Sequence, residues 1–515
     1  MAANKYFRWN LFFLFLVLVI ISTPIWISVI PIVSSYGKEI NIGIITAFHI
    51  FWAVTSICAI RRCLAIRQRK EIDRKAYPSD VQVKHIVGIC MYKEPFKVLK
   101  ATLDSLACQI DAIDRVSVIV GLEQGTPDQE GKKTAIFSGY SNKFHRLLVT
   151  VHPSNLPGEV AGKCSNMNYA ARHGVQQLRN DKAYEFSKYH QIFTTCDCDS
   201  IFDPDYTAEV EKDYLTINDI EQRHATIWQS IICYENVSMP FFVRITALLR
   251  TFAYMGITIP WNMNPMSVYS HSVELLENGD YLHPEYQMDD IIALIRYTLV
   301  SKRRIKLRPV NVILLNGPTS AETYCGEIYE WSRQIRRWAI GAAEVFHYFM
   351  AKIKRMPSIL VTIIWGTSFF TYYGIVLCAA PIFSLFSPAI TLAMFQVRVI
   401  NESTLIPDDI FLYFNLSVLA LQYFWFLIAF TFAGMLLVNK YPLQQNKKEH
   451  SWSQLNYVIW LLSVPVLFCH SCIQLFAFFE IAIRGKSVCK HGAAKKDHLK
   501  IMNSTDTRRS VMIKY

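Results

Sequence analysis

The stretch Gln191-Ile192-Phe193-Thr194-Thr195-Cys196-Asp197-Cys198-Asp199 decides the fold. From Gln191 to Thr195 it reads as a β-strand, and it runs straight into two aspartates at alternate positions. Strand side chains alternate, so Asp197 and Asp199 project to the same side. Two carboxylates at the carboxyl end of a strand suit a hard divalent cation carrying a diphosphate. The plainer reading of the same residues is an Asx turn before Pro204. Working outward, Val83–Cys90, Val116–Gly121 and Leu147–His152 read as further strands, and Pro95–Cys108 has helical spacing. Strands alternating with helices predict an α/β sheet with parallel pairing, whose ligands bind beyond the carboxyl ends of the strands.

Three other motifs lie in the same polar region. Upstream, Gly162-Lys163-Cys164-Ser165-Asn166-Met167-Asn168 places a lysine at the start of a helix, where its ammonium would meet a phosphate. It is not a P-loop, because Pro157 and Cys164 stand where that motif needs Gly and Ser or Thr. Downstream, Gln287-Met288-Asp289-Asp290 precedes the helical run Ile291–Val300. These aspartates are either a helix cap complementing the helix dipole or a general base with its neighbour. Last comes Gln334-Ile335-Arg336-Arg337-Trp338, opening an amphipathic stretch up to Met350. By itself it reads as an interfacial helix with Arg and Trp at headgroup level.

The rest of the chain is membrane-like. Hydrophobic residues make up 52% and charged residues 18% of the 515 residues, which excludes a disordered tail and an ordinary soluble enzyme. Asn10–Tyr36, Ile40–Ile60, Met356–Val397, Ile410–Asn439 and Ser451–Phe479 carry no charged residue. Each is long enough to cross roughly 30 Å of hydrocarbon, and Met356–Val397 is long enough for two passes. The spans therefore number five or six, with the N-terminus inside. The formal charge of +12 is concentrated beside them, at Arg61–Lys75 and in the tail from Arg484 to Tyr515. Such clusters read as cytoplasmic edges facing anionic lipid, and not as a nucleic-acid surface. Five spans put the tail outside; six put Lys447, Lys448 and Glu449 outside, and the basic tail favours six. The sequons Asn401-Glu402-Ser403 and Asn503-Ser504-Thr505 lie outside with five spans and inside with six. The cysteines match no zinc framework and read as free thiols, including the Cys469-His470-Ser471-Cys472 run within an apolar span.

Lysine box, Asp-x-Asp, Asp-Asp and Gln-x-x-Arg-Trp, in that order and flanked by apolar spans, resemble the membrane-embedded family 2 glycosyltransferases, the cellulose, chitin and hyaluronan synthases. The resemblance covers roughly Ile86 to Met350 plus the membrane layout. Lys93-Glu94-Pro95, Lys163 through Asn168, Asp197-Cys198-Asp199 and Gln334 through Glu344 look closest to the cellulose synthase branch. Glu123 stands where that family has an Asp that holds uracil. Met288-Asp289-Asp290 replaces Thr-Glu-Asp and is nearer the hyaluronan synthase form. The plant insertions and the Phe-x-Val-Thr gating motif are absent. These departures leave the sugar and the processivity open.

The resemblance implies a cytosolic α/β domain of GT-A type, the nucleotide-diphospho-sugar transferase fold, joined to an α-helical transmembrane bundle. It divides the chain into two N-terminal spans (1–60), the transferase domain (61–329), an interfacial helix (330–355), the C-terminal bundle of three or four helices (356–483) and a basic tail (484–515). It implies inverting transfer from a UDP-sugar to a growing β-linked polysaccharide, in the plasma membrane or Golgi. Asp199 and Asp197 would hold Mg²⁺ or Mn²⁺, and Lys163 would meet the diphosphate. Asp290 would be the base and Asp289 its neighbour. Glu94 and Glu123 would line the nucleotide pocket, and Gln334, Arg337 and Trp338 would hold the acceptor end, Trp338 by stacking on a sugar face and Arg337 by reaching the diphosphate. The alternatives are a non-processive transferase acting on a lipid or glycolipid, and a non-enzymatic transporter with a regulatory insert.

Overall fold

The computed structural model describes residues 3–23, 26, 30, 36–78, 80–234, 240–317, 321, 323–382, 406–440 and 459–488. Both sequons, Lys447–Glu449 and the tail beyond 488 lie outside the described residues.

Two helices, α1 (Ala3–Ile21) and α2 (Gly37–Gln68), precede an eight-stranded mixed sheet. The sheet begins with β1 (Val83–Met91), α3 (Phe96–Ala107), β2 (Val116–Glu123), α4 (Gln129–Tyr140), β3 (Arg146–His152), α5 (Lys163–Asn180) and β4 (His190–Asp197). Next come β5 (Ser200–Phe202), α6 (Tyr206–Thr216), β6 (Thr226–Tyr234), α7 (Phe241–Ala253), β7 (Tyr269–Ser272), α8 (Asp289–Ser301) and β8 (Lys306–Asn316). Helices α9 (Tyr324–Lys352), α10 (Ile359–Phe369), α11 (Asp408–Lys440) and α12 (Ser463–Arg484) complete it.

The strand order is β3-β2-β1-β4-β7-β6-β8-β5. The four strands read from the sequence form the parallel half: β1 pairs with β2 and β4, and β2 with β3. The other half departs from all-parallel pairing. Strand β7 runs antiparallel between β4 and β6, β8 pairs parallel with β6, and β5 pairs antiparallel with β8. A short β7 and a β5 of three residues leave little alternation to read.

Strand β1 is buried along its whole length, Lys84 and His85 included, and from Ile86 to Met91 it reads as a continuous apolar run without alternation. Val83, Val87 and Ile89 join one hydrophobic cluster, and Ile86 and Cys90 join another on the opposite face with Met167 and Ala170 of α5. Each fully buried Val, Ile or Leu contributes about 1.5–3 kcal/mol. The sheet is thereby fixed between two layers, and its carboxyl edge is held in place.

Among the described residues five helices are long and apolar enough to cross a membrane: Gly37–Gln68, Phe241–Thr258, Ile359–Ile382, Asp409–Leu436 and Trp460–Arg484. The chain is thus an α/β domain combined with a multi-pass set of apolar helices. Phe241–Thr258 lies inside the stretch that the sequence assigned to the polar domain. Its apolar window is 78% buried, against 17% for α2, so protein covers it where α2 is left bare. It ends in a π-helical turn, Tyr254–Thr258, that packs on α2. A Cβ on Gly256 would come 2.5 Å from the Thr55 carbonyl oxygen, so only glycine allows this approach. Trp52 of α2 stacks on Phe252 with centroids 6.3 Å apart. Helix α7 therefore joins the sheet domain to the bundle. The Gln-x-x-Arg-Trp helix begins earlier than expected, at Tyr324, where the Thr323 side chain accepts a hydrogen bond from the Gly326 N–H.

Candidate active site

Four chain segments converge at the carboxyl edge of the sheet. Strand β4 ends at Asp197, and the turn into β5 carries Asp199, whose backbone carbonyl accepts from the Gly317 N–H at 3.2 Å. Gly162 starts α5 at φ 149°, a conformation that favours glycine, and Lys163 follows as the first helical residue. Asp289 and Asp290 open α8. Neither is its cap: Met288 holds that position, and Asp290 Oδ1 accepts from the Ile291 N–H at 2.8 Å. The N-cap part of the helix-cap reading is thus not the arrangement found, but both aspartates lie in the first turn, where they complement the helix dipole.

Helix α9 closes the site from the membrane side. A Cβ on Gly341 would lie 2.5 Å from Met288 Cγ, so the bare glycine lets α9 rest against the residue before Asp289. One turn on, the fully buried Glu344 accepts from the Gln287 N–H at 3.3 Å.

One cavity of about 330 Å³ collects the ten candidate site residues read from the sequence. Glu94, Glu123, Lys163, Asp197, Asp199, Asp289, Asp290, Gln334, Arg337 and Trp338 all line it. That volume suits a small ligand. Lys163 Nζ bridges the two acidic motifs, 3.1 Å from Asp197 Oδ1 and 3.3 Å from Asp289 Oδ2, and donates to the Ser267 carbonyl at 3.1 Å.

The crowding of charge sets the protonation states. Burial pulls Lys163 down, but Asp197, Asp289 and Asp290 outweigh it and hold the ammonium well above the ordinary lysine range. Burial raises Asp289. Burial, and then the charge of Asp289, push Asp290 up to about 7. Glu123 is raised by burial, with His152 pulling the other way. Burial also lifts the thiols of Cys90, Cys164 and Cys196, which keeps them protonated and inert.

Asp197 and Asp199 offer two carboxylates to one space, Asp199 from a position only 7% exposed. Among the described residues no group of three or more His, Cys, Asp or Glu side chains forms a metal site. This donor set does not cage a metal by itself. It fits a hard cation that takes its remaining oxygens from a diphosphate and water.

The cavity continues into the bundle, and this part escaped the sequence reading. Trp52, Arg250, Tyr254, Tyr372, Tyr373, Phe426, His470 and Gln474 line it there. Arg250 on α7 lies 3.9 Å from the Trp338 ring centroid, so one face of the indole is already covered by a guanidinium. The available signal was an arginine in an apolar stretch, which is costly unless used. The Cys469-His470-Ser471-Cys472 run splits: His470 is buried and lines the cavity, while Cys469 and Cys472 are exposed.

No family model matches the chain, and no curated protein matches it. Among solved structures, it is similar to the mannosyltransferase PcManGT from Pyrobaculum calidifontis in complex with GDP-Man and Mn²⁺. Identity is 14% and the TM-score 0.38, over 84% of this chain and 99% of that one. It is also similar to residues 1–349 of S. aureus TarS, at 12% identity and a TM-score of 0.31, over 68% and 92%. Likenesses this loose carry no residue roles across.

Proposed function

We propose that the chain is a membrane-embedded, GT-A type glycosyltransferase that moves a sugar from a UDP-sugar, with inversion, onto the hydroxyl of a growing β-linked glycan. The observation that carries this reading is the single cavity. It brings the lysine box, Asp-x-Asp, Asp-Asp and Gln-x-x-Arg-Trp residues together and continues between apolar helices. A transporter with a regulatory insert has no use for that convergence.

In this reading Glu94 and Glu123 line the nucleotide pocket. Asp197 and Asp199 would hold Mg²⁺ or Mn²⁺, which when bound would offset charge on the leaving diphosphate. Lys163, held protonated, adds its own positive charge beside Asp197. Arg337 lines the same space and reaches the diphosphate. Asp290 takes the proton from the attacking hydroxyl, and a carboxyl poised near 7 suits a base working at neutral pH. Asp289 keeps Asp290 raised and ties it to Lys163. Gln334 and the uncovered face of Trp338 hold the acceptor end. The domain would face the cytosol, with the bundle in the plasma membrane or Golgi.

The test is to give the purified full-length protein each radiolabelled UDP-sugar with Mg²⁺ or Mn²⁺ and to size the product. Label in long oligosaccharides is expected. The apolar membrane end, with Trp52, Phe426 and Leu467, would also seat the tail of a lipid acceptor. A single sugar on extracted lipid would select that second reading. No transfer from any UDP-sugar would refute both.

A further inference from the structure

Arg250 takes no part in the reaction above, yet its setting is costly. It sits on α7, within a stretch apolar enough to cross a membrane. Its guanidinium lies 3.9 Å from the Trp338 ring centroid and 5.1 Å from that of Tyr234. The groups around it are the phenols of Tyr234, Tyr254 and Tyr372, with the His470 imidazole also within its field. Among the described residues no carboxylate pairs with it. Nor does any Asp or Glu line the part of the cavity built by α2, α7, α11, α12 and the turn after α10. A guanidinium taken out of water without a counter-ion is unfavourable, and stacking on aromatic rings offsets only part of that. The guanidinium donates a hydrogen bond to Tyr234 and is left without a counter-ion among the described residues.

Two anions are in reach of a sugar-transferring cavity: the donor diphosphate and a carboxylate on the acceptor. The charges that act on Lys163 are Asp197, Asp289 and Asp290, and those that act on Arg337 include Asp197 and Glu94. These mark the diphosphate end. Arg250 is surrounded instead by uncharged aromatic side chains: Tyr234 at the end of β6, Trp338 on α9, and Tyr254 and Tyr372. The acceptor is therefore the source that fits. A planar guanidinium stacked on an indole keeps its edge for a carboxylate, which it grips with two parallel hydrogen bonds.

We propose that Arg250 selects an acidic acceptor: the glycan end held at Trp338 carries carboxylates, as hexuronate residues do, and Arg250 pairs with one of them. This rests on the glycosyltransferase reading of the cavity and narrows it. It also gives the cation–π contact a purpose, since Arg250 covers one face of Trp338 and leaves the other for a sugar ring.

The experiment uses the full chain in detergent and two probes that differ only at C6, cellohexaose and the same oligosaccharide oxidised there to a carboxylate. Direct binding of each is measured for the wild type, Arg250→Gln and Arg250→Lys, with UDP affinity read on the same samples. The oxidised probe should bind about tenfold more tightly to the wild type, the size of one charged hydrogen bond. Arg250→Gln should bind both probes equally, Arg250→Lys should keep part of the preference, and added salt should shrink it. Equal binding of the two probes to the wild type, tighter binding of cellohexaose, or binding of neither overturns the proposal, as does a full preference surviving in Arg250→Gln. Wild-type UDP affinity in the variants shows an intact donor end. A wild type that prefers the acid but binds no UDP would count against the proposed reaction and leave the role of Arg250 standing.

Discussion

The two ends of the cavity are built from different kinds of structure. At the sheet end, charged side chains come from places where the backbone turns: Asp197 and Asp199 past β4, Lys163 at the start of α5, Asp289 and Asp290 at the start of α8. At the membrane end, side chains come from helix faces: Trp52 from α2, Arg250 from α7, Phe426 from α11, His470 and Gln474 from α12. A turn aims neighbouring residues into one space, so a site becomes a short string of letters. A helix offers only one or two residues per turn to a given side, so a wall is scattered over the chain. The first end is charge-dense, with Lys163 bridging Asp197 and Asp289 among several carboxylates; the second, among the described residues, is aromatic with Arg250 as its cation.

The largest effect belongs to Asp199, at the charge-dense end. Asp199→Ala should leave no measurable transfer, and EDTA should do the same to the wild type until Mg²⁺ or Mn²⁺ is restored. Full activity in EDTA would mean that the two carboxylates do not hold a cation. The oxidised oligosaccharide should still bind Asp199→Ala with its preference intact, because that preference belongs to the other end.

Asp290 comes next. Asp290→Asn keeps the shape and removes the proton acceptor, so turnover should fall about 10²–10⁴-fold while UDP affinity changes little. Asp289→Asn should cost less. A base works only unprotonated, so wild-type turnover should rise with pH through about 7. Stability runs the other way. The folded chain keeps a proton on Asp290 that the unfolded chain releases near pH ~3.9, so stability is fully present below that value and is lost as pH rises toward 7. Asp290→Asn should therefore melt higher than the wild type above neutrality and no higher in acid. Thermal melts at both pH values, alongside turnover, check this; a silent Asp290→Asn with a dead Asp289→Asn would exchange the two roles.

The same contrast explains what was legible in the sequence. The parallel half of the sheet could be read because β1, β2 and β4 are apolar runs bounded by turn residues. Strand β6 is equally buried and β8 is buried from Val312 onward, but Phe241–Thr258 intervenes and blurs the alternation of strand and helix. That helix is apolar for a reason other than lipid, since it is wedged between domain and bundle. Composition cannot separate the two causes. Asp197, Asp290 and Lys163 were visible as motifs; Tyr372, Phe426 and Gln474 were not, because only the packing of separate helices makes them neighbours.

Gly341 tests how firmly one end positions the other. A valine there would drive its side chain into Met288, the residue before the Asp-Asp pair, and overpacking of this kind costs about 1–3 kcal/mol. Met288 must shift, and Asp289 and Asp290 shift with it. Turnover of Gly341→Val should fall about tenfold, the scale at which small displacements of a catalytic group are felt, with UDP affinity nearly unchanged. A turnover equal to the wild type would show that α9 and the α8 start do not share a fixed geometry.

The smallest effect is expected where the two ends are tied together. Arg336, next to Arg337 on α9, places Nε 2.7 Å and Nη2 2.6 Å from Oε2 of Glu480 near the end of α12. Glu480 is 11% exposed and Arg336 35%, so the pair is half-screened by solvent. Arg484 adds a longer contact of 3.5 Å to Oε1. A carboxylate on an apolar helix needs such a partner, and this one fixes the Gln334–Trp338 turn against the bundle. Exposed pairs contribute about 0.2–1 kcal/mol, and a pair sheltered on one side belongs at the upper end of that range. Glu480→Gln and Arg336→Gln should each lower turnover a few-fold and melt slightly earlier. The double variant should be no worse than either single one, because both remove the same contact. Exchanging the charges, Arg336→Glu with Glu480→Arg, should recover part of the loss. Additive single effects with no recovery on exchange would mean that the two ends of the cavity are held in register by apolar packing alone.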